Sequence, residues 1–521
     1  MSDVSMPEGW AISKLSDAIA VDGVISDGDW VESKDQDPNG DVRLIQLADI
    51  GDGDFRNKSK RFMTPESADR LNCTYLEKGD VLIARMPDPL GRACLFPGVG
   101  QKAVTVVDVC LIRTGENSAF SNDFLKYWIN TPDIRNLIEA NASGTTRKRI
   151  TRKKLEAFEY PLPPLAEQKE IALRLDDLLA QVDSIKTRLD GLPAILKRFR
   201  QSTLAAATSG KLTEEWREEN SGNDSLREYI KDLEASRFEH WKKMRLVEFE
   251  RKGKTPADDK WLARYKPVRV DEGLQGIPDV WEVERLDFIA DVIDPNPKHR
   301  NPRYFDKGFH FISTAQFDGT DGFDLSKCRF VAKETIDEQG ARCRFDKRSI
   351  AFSRKGTIGH TRILELDIPF ALLDSLCVIN CDAVISNKYL NYVLRGPLVA
   401  GQVVEKTKGV ALKQVSVGGV RELLIPLPSV EEQTEIVRRV EELFAFADQV
   451  EQRVKEAQAH VNHLTQSILA KAFRGELTEQ WRRENPDLIT GENSAAALLQ
   501  RIKTEREKLT PKKKPRKRRS P

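Results

Sequence analysis

The chain has 521 residues and no run of about 18 consecutive apolar residues, the least that a bilayer-spanning helix needs, which excludes a helical membrane protein. Its opening, MSDVSMPEGW, lacks the basic-then-apolar order of a secretory leader, so a cytoplasmic location is expected. Cysteine is sparse and odd in number. Cys73, Cys94, Cys110, Cys328, Cys343, Cys377 and Cys381 form no Cys-x-x-Cys, and no histidine pair stands nearby at zinc-ligand spacing. Free, buried thiols are expected and a metal site is not. An excess of one charge is also missing, with 83 Lys+Arg against 81 Asp+Glu and a formal net charge of +2. The last eleven residues, PKKKPRKRRSP, hold seven of those cations and no acid; removing them from +2 leaves −5 on residues 1–510. The body must therefore attract any polyanion through local patches, while the tail adds salt-sensitive, sequence-independent attraction for phosphate.

Catalytic constellations are absent as well. Asn301-Pro302-Arg303-Tyr304 resembles the Asn-Pro-Pro-Tyr of adenine methyltransferases, but arginine replaces the second proline and no glycine-rich cofactor loop precedes it. Pro132-Asp133 followed by Glu167-Gln168-Lys169 fits only the loosest nuclease pattern, since Glu167 opens a helix and its counterpart Glu432 has no lysine after it. Ser209-Gly210-Lys211 lacks the upstream glycine of a phosphate-binding loop. Intrinsic methyl transfer, cleavage and ATP binding are not expected.

What is present is a repeat. Pro161–Asn220 recurs as Pro426–Asn485 without a gap, every position 265 residues from its mate and 26 of 60 identical. About 160 unlike residues precede the first copy and about 200 separate the copies, an order of module, connector, module, connector. Apolar residues run through the first connector in alternating steps of four and three: Ile171, Leu175, Leu178, Val182, Ile185, Leu189, Leu192, Leu196, Phe199. In the second they are Ile436, Val440, Leu443, Ala447, Val450, Val454, Ala457, Val461 and Leu464. This is a heptad seam, and two seams of equal phase in one chain invite pairing. The helices are expected to begin after Pro-Leu-Pro and to end near Gly210 and Gly475, with a kink at Gly191 and Pro193 in the first copy only. A helix of about 42 residues is a rod of about 60 Å. Antiparallel pairing would place the two modules at opposite ends, related by an approximate twofold axis.

The modules share punctuation rather than sequence. Each opens on a tryptophan after a proline-containing turn, PEGW at Trp10 and PDVW at Trp281. VRLIQLADI, KAVTVVDVCLI, ALLDSLCVINC, GDVLIA and RSIAFS read as strands, while FSNDFLKYWIN and ISNKYLNYVLR read as helices, so each module is a mixed α/β fold. A polar, glycine-bearing loop leads from each module into its connector. In the first it carries Thr145, Thr146, Arg147, Lys148, Arg149, Arg152, Lys153 and Lys154; in the second, Lys408 and Lys413. Cations so clustered attract phosphate. Arg85, Arg92, Ser353, Arg354, Lys355 and Thr357, on polar glycine turns, are further candidates for DNA contact.

PLPPLAEQKEIA with ASGTTRKRI before it, LKRFRQS, GKLTEEWR, EIVRRVEELFAFAD and LTQSILAKAFRGELTEQWRRENPDLITGENSAAALL closely resemble the conserved regions of specificity subunits of type I restriction-modification systems, most like the IA group. The resemblance covers the connectors and their flanks. It implies an α+β chain in which two target recognition domains each read one half of a bipartite DNA site and an antiparallel coiled coil fixes the spacer. It further implies a non-catalytic subunit that docks two modification subunits and a restriction subunit, with S-adenosylmethionine, ATP and Mg on those partners. The expected divisions are recognition domains at 1–160 and 276–425, connectors at 161–220 and 426–510, a charged helical joint at 221–275 and a basic tail at 511–521. The rival reading is a coiled-coil adaptor that binds nucleic acid only through its tail.

Overall fold

The computed structural model describes residues 6–87, 89–144, 147–220, 225–265, 270, 273–296, 302–319, 321–382, 385–407 and 414–509. Thr145, Thr146, Lys408, Lys413, Asn301 and the basic tail lie outside the described residues. The chain divides into two compact units, Met1–Asp190 with Lys455–Pro521, and Gly191–Val454. Each holds one module together with parts of both connectors.

In the first unit, entry strand Ala11–Lys14 pairs antiparallel with exit strand Glu159–Leu162, so the chain enters and leaves the module side by side. Between them a four-stranded antiparallel sheet runs in the order Val24–Asp27, Val109–Arg113, Val81–Ala84, Ala93–Leu95. A three-stranded mixed sheet follows the order Arg61–Met63, Val42–Ile45, Ala103–Thr105. The second unit repeats this plan. Glu282–Arg285 pairs with Leu424–Leu427; Ala290–Ile293, Leu376–Cys381, Ser349–Ser353 and Thr361–Ile363 form the larger sheet; and Arg329–Val331, Phe309–Ile312 and Phe370–Leu372 form the smaller. The runs KAVTVVDVCLI and ALLDSLCVINC each break into two strands belonging to different sheets, because a turn at 106–108 or 373–375 carries the chain across. Helices stand where expected, at Asn122–Ile129 and Asn387–Arg395.

The connectors are helices Leu165–Thr208 and Val430–Phe473, 44 residues each, or about 66 Å of rod. The first continues through Gly191 and Pro193, both exposed. Each helix ends two residues before a glycine of positive φ, Gly210 at 74° and Gly475 at 76°, where a side chain would be strained. The pairing direction is legible inside each unit. In the first, Asp190 accepts from Gln458 at 2.8 Å and Arg174 donates to the Leu477 carbonyl at 2.8 Å; as one number falls the other rises, which is antiparallel. In the second, Arg200 bonds Asp448 and Arg439 donates to the Leu212 carbonyl at 2.8 Å, the same relation.

Burial along the seam is unequal. Leu175, Val182 and Leu196 in the first helix and Val440, Ala447, Val454, Val461 and Ile468 in the second are buried, one residue in seven. Ile171 and Ile436 are buried where each helix meets its module, and Leu178, Leu189, Leu443 and Val450 are half-buried. Ile185 and Leu464, expected on the seam, are 45% and 48% exposed. Two helices cover only a narrow stripe of each other, and the second heptad position falls on its rim.

The segment read as a joint begins as a helix, Ser225–Arg251, that belongs to the second unit: Tyr229 and Leu233 lie in one core with Trp281, Leu286 and Ile289. Its Arg237 donates to the Asp287 carbonyl at 3.1 Å and pairs with Asp291 at 2.9 Å. The C-terminal helix Ala495–Leu509 does the same work in the first unit, burying Ile502, while Arg506 donates to the carbonyls of Ser16 and Ile19, both at 2.6 Å. Leu233 and Ile502, like Arg237 and Arg506, stand 269 residues apart. The repeat thus extends beyond Asn220 and Asn485, hidden in sequence by a four-residue change of spacing.

Candidate nucleic-acid interface

Each module is closed by a buried carboxylate. In the first unit Glu167, fully buried, accepts from the Trp10 indole at 2.7 Å, from the Thr478 hydroxyl at 2.6 Å and from Arg482, whose other nitrogen donates to the Gly475 carbonyl at 2.6 Å. In the second, Glu432 accepts from Trp281 at 2.8 Å, from Thr213 at 2.7 Å and from Arg217 at 3.1 Å, and Arg217 also reaches the Gly210 carbonyl. A buried carboxylate needs this many donors to offset its lost hydration. The adjacent glutamines are also consumed by the fold: Gln168 accepts from the Ser121 amide at 2.9 Å and donates to the Ala119 carbonyl at 2.7 Å, and Gln433 accepts from the Ser386 amide at 3.2 Å. The Glu-Gln pair of each copy is therefore a docking element, with no role in cleavage. Ser209-Gly210-Lys211 ends the long connector helix and leads only into a single 3-10 turn, Lys211–Thr213, not the strand-to-helix junction of a phosphate-binding loop. The start of each connector meets the end of the other, so neither module is complete without both.

The candidate DNA-facing residues separate into two sets. Arg147, Lys148, Lys153 and Lys154 are exposed on the exit loop and the short helix after it; Lys148 pairs with Glu139 at 3.1 Å and Lys154 donates to the Asn141 carbonyl at 2.6 Å. Arg152 is half-buried, bonded to the Ile25 carbonyl at 2.9 Å and to Glu156 at 3.1 Å. The loop is closed by reciprocal backbone bonds between Ser143 and Arg149 at 2.8 and 3.0 Å, with Gly144 at φ 112°. In the second module Thr357 is exposed between Gly356 and Gly359, both of positive φ with open space around them, and Lys355, just before that turn, is half-buried.

The other set is internal. Arg92, 4% exposed, donates to the carbonyls of Ile50, Leu47 and Pro89 at 2.5, 2.6 and 3.0 Å, and Ser353 is fully buried. Arg85 and Arg354, 3% and 5% exposed, are counterparts. Arg85 pairs with Asp27 and donates to the Val107 carbonyl; its own carbonyl accepts from Ile150 at 3.1 Å and its amide bonds Asp108 at 2.9 Å. Arg354 pairs with Asp294 at 3.0 Å and donates to the Asp374 carbonyl at 2.9 Å; its carbonyl accepts from Val415 at 2.9 Å and its amide bonds Ser375 at 2.7 Å. Burial lowers the Arg85 pKa and Asp27 opposes the shift. These guanidinium groups are buried and bonded to the fold through their terminal nitrogens, so they do not stand on the exposed surface of the loops. Asp27 and Asp294, ending VISD and VID, carry no motif that sequence reading could have caught.

Among the described residues no group of three or more His, Cys, Asp or Glu is placed to hold a metal ion, and no helix is long and apolar enough to cross a membrane. Six of the seven cysteines are buried, Cys73 is half-buried, and all are free.

Two modules of one plan, each closed by paired connectors and each presenting a polar loop, define a two-domain recognition protein. The sequence matches the type I restriction modification DNA specificity domain twice, over residues 7–194 and 278–458, and the chain belongs to that family. It is similar to the specificity subunit of the type I restriction enzyme EcoBI of Escherichia coli, 39% identical over 408 residues, covering 76% of this chain and 74% of that one. To the EcoDI specificity subunit of the same organism it is 34% identical over 459 residues, covering 85% and 88%. Its fold is shared with a chain solved in work on complex assembly and conformational transition of the type I R-M system (TM-score 0.57, 16% identity, 91% of this chain and 99% of that one). It is shared also with the HsdS subunit from Thermoanaerobacter tengcongensis (TM-score 0.52, 17% identity, 91% and 99%). This is a specificity subunit with two target recognition domains; no observation favours the adaptor reading.

Proposed function

We propose that the first module reads one half of a bipartite DNA target and the second module the other, and that the length of the paired connectors sets the unread spacer. The observation that carries this is the repetition of one architecture around two unlike sequences: closures and corners are the same, while the residues on the loops differ. Exposed Arg147, Lys148, Lys153 and Lys154 hold the backbone beside the first half-site, and Lys355 and exposed Thr357 do so beside the second. By sequence, Thr145 and Thr146 stand beside Arg147 before the first connector, and Lys408 and Lys413 stand before the second. The duplicated closures supply two equivalent docking stations, which fits two modification subunits bringing S-adenosylmethionine, with a restriction subunit supplying ATP- and Mg-dependent steps. Half-sites about one helical turn apart, roughly 34 Å, suit rods of this length.

The test is selection from random duplexes by the chain assembled with its modification subunits, at rising salt. Enrichment of a two-part sequence around a spacer of fixed length supports the reading. Retention that tracks only DNA length and salt overturns it.

A further inference from the structure

The corner around Arg85 is rebuilt around Arg354 bond for bond, and membership of the family gives neither residue a role. Four segments cross there in each module: the strand that leads into the arginine, the strand that leads to the aspartate, the turn at 106–108 or 373–375, and the exit loop returning at Ile150 or Val415. We infer that Asp27–Arg85 and Asp294–Arg354 are positioning pairs for DNA reading, each fixing the end of its module's exit loop, at Arg149 and Ile150 or at Val415, together with a neighbouring cation, Arg149 or Lys355, against the duplex. The inference rests on the two-module reading proposed above.

Three observations support it. Each guanidinium is buried while its carboxylate is not, Asp27 being 46% and Asp294 15% exposed, and a buried cation held at the same place in both modules points to a directional task. A guanidinium is suited to one, since its planar fork fixes the angles between a carboxylate and a carbonyl. Secondly, the Nε of both arginines is buried without a hydrogen-bond partner among the described residues, an expense that packing alone does not require. Thirdly, each corner is tied to a cation of the candidate interface. Arg149 donates to the same Val107 carbonyl that Arg85 holds, at 2.9 Å, and Lys355 pairs with the side chain of Asp374, whose carbonyl Arg354 holds, at 2.8 Å. A shift of either arginine thus moves a loop cation directly.

The experiment uses the full chain with its modification subunits, and a target first selected with the unaltered protein. Binding is measured on the intact target and on duplexes with one or the other half scrambled, across a range of salt. Asp27→Asn keeps the side-chain size and removes the charge; it is expected to lower discrimination at one half-site about tenfold and leave the other unchanged. The slope of log affinity against log salt should become shallower by about one, as loop cations leave the backbone. Asp294→Asn should do the same at the other half. Asp27→Glu, which retains charge but lengthens the side chain, is the control for folding: it should keep the melting temperature and still lose discrimination at the same half-site. Normal reading by Asp27→Glu together with normal reading or outright unfolding of Asp27→Asn overturns the proposal, as does equal loss at both halves. Failure of the unaltered protein to select any two-part site would instead overturn the two-module reading.

Discussion

At the scale of single residues, the two closing carboxylates concentrate the most consequence. Glu167→Ala leaves the Trp10 indole, the Thr478 hydroxyl and the Arg482 guanidinium without their acceptor, and breaking a buried pair of this kind costs about 3–5 kcal/mol. Denaturant unfolding should show that loss in the first unit, with Glu432→Ala doing the same to the second. The cysteines make a second prediction. Burial pushes the thiols of Cys94, Cys110, Cys343, Cys377 and Cys381 up to about 12, and burial with the nearby Asp29 carboxylate does the same for Cys73. A raised folded-state pKa means the folded chain holds those protons when the unfolded chain has released them. The contribution is therefore complete below about pH 8.5 and is lost as pH climbs toward 12. Stability should decline over that alkaline window, and a thiol reagent at pH 8 should react slowly until denaturant is added. The cysteines' burial was legible in their spacing. The three donors on each glutamate were not, because a glutamate at a helix start reads as first-turn polarity until its neighbours are known.

Among elements, the helix ends and the seam behave differently from what periodicity alone implies. A Cβ on Gly475 would lie 2.7 Å from Pro7 Cγ and 3.2 Å from Trp10 Cζ2; on Gly210 it would lie 2.4 Å from Pro278 Cγ. Gly475→Ala should cost more than the roughly 1 kcal/mol of a helix-end glycine, because it also pushes against the closure, and a lowered melting temperature for the first unit checks it. On the rods, Ile185→Lys should be nearly silent, within about 0.5 kcal/mol, whereas Val182→Lys buries an unpaired charge and should prevent normal pairing. Circular dichroism melts of the two variants decide the matter. Phase and length of the helices were plain in the sequence. Which heptad position faces inward was not, since both are apolar and only the partner's width distinguishes them. The helix Ser225–Arg251 was read as a charged joint because its buried residues are few; its equivalence to Ala495–Leu509 needed the shared contacts of Arg237 and Arg506.

For the whole molecule, the crossed closures carry the main expectation. Ending the chain after Phe473 removes Thr478, Arg482, Ile502 and Arg506 from the first unit and nothing from the second. Calorimetry of that truncation should show an early transition for the first unit with the other unchanged; a uniform loss would contradict the division. Exchange of residues 1–155 for another recognition module should change one half of the DNA target only, as read by the methylated sites of a host carrying the hybrid. Inserting seven residues into both connectors at matched levels should lengthen the spacer without altering either half-site, which sequencing of selected duplexes would reveal.

The sequence by itself determined the order of modules and connectors, the two long helices and their common phase, the strand-forming runs and the membership of the family. The order, the helices and the strands are written in local period and in 26 repeated identities, and the family in its resemblance to known relatives, none of which needs knowledge of what lies nearby. The tertiary structure decided which connector end closes which module, which arginines are interior and which face outward, and that the charged joint and the C-terminal helix are one element used twice. Those outcomes rest on partners as far apart as Glu167 and Thr478, 311 residues along the chain. Desolvation chooses such partners only once the chain is compact: an arginine beside a glycine turn looks the same in sequence whether a phosphate or an aspartate of its own module awaits it.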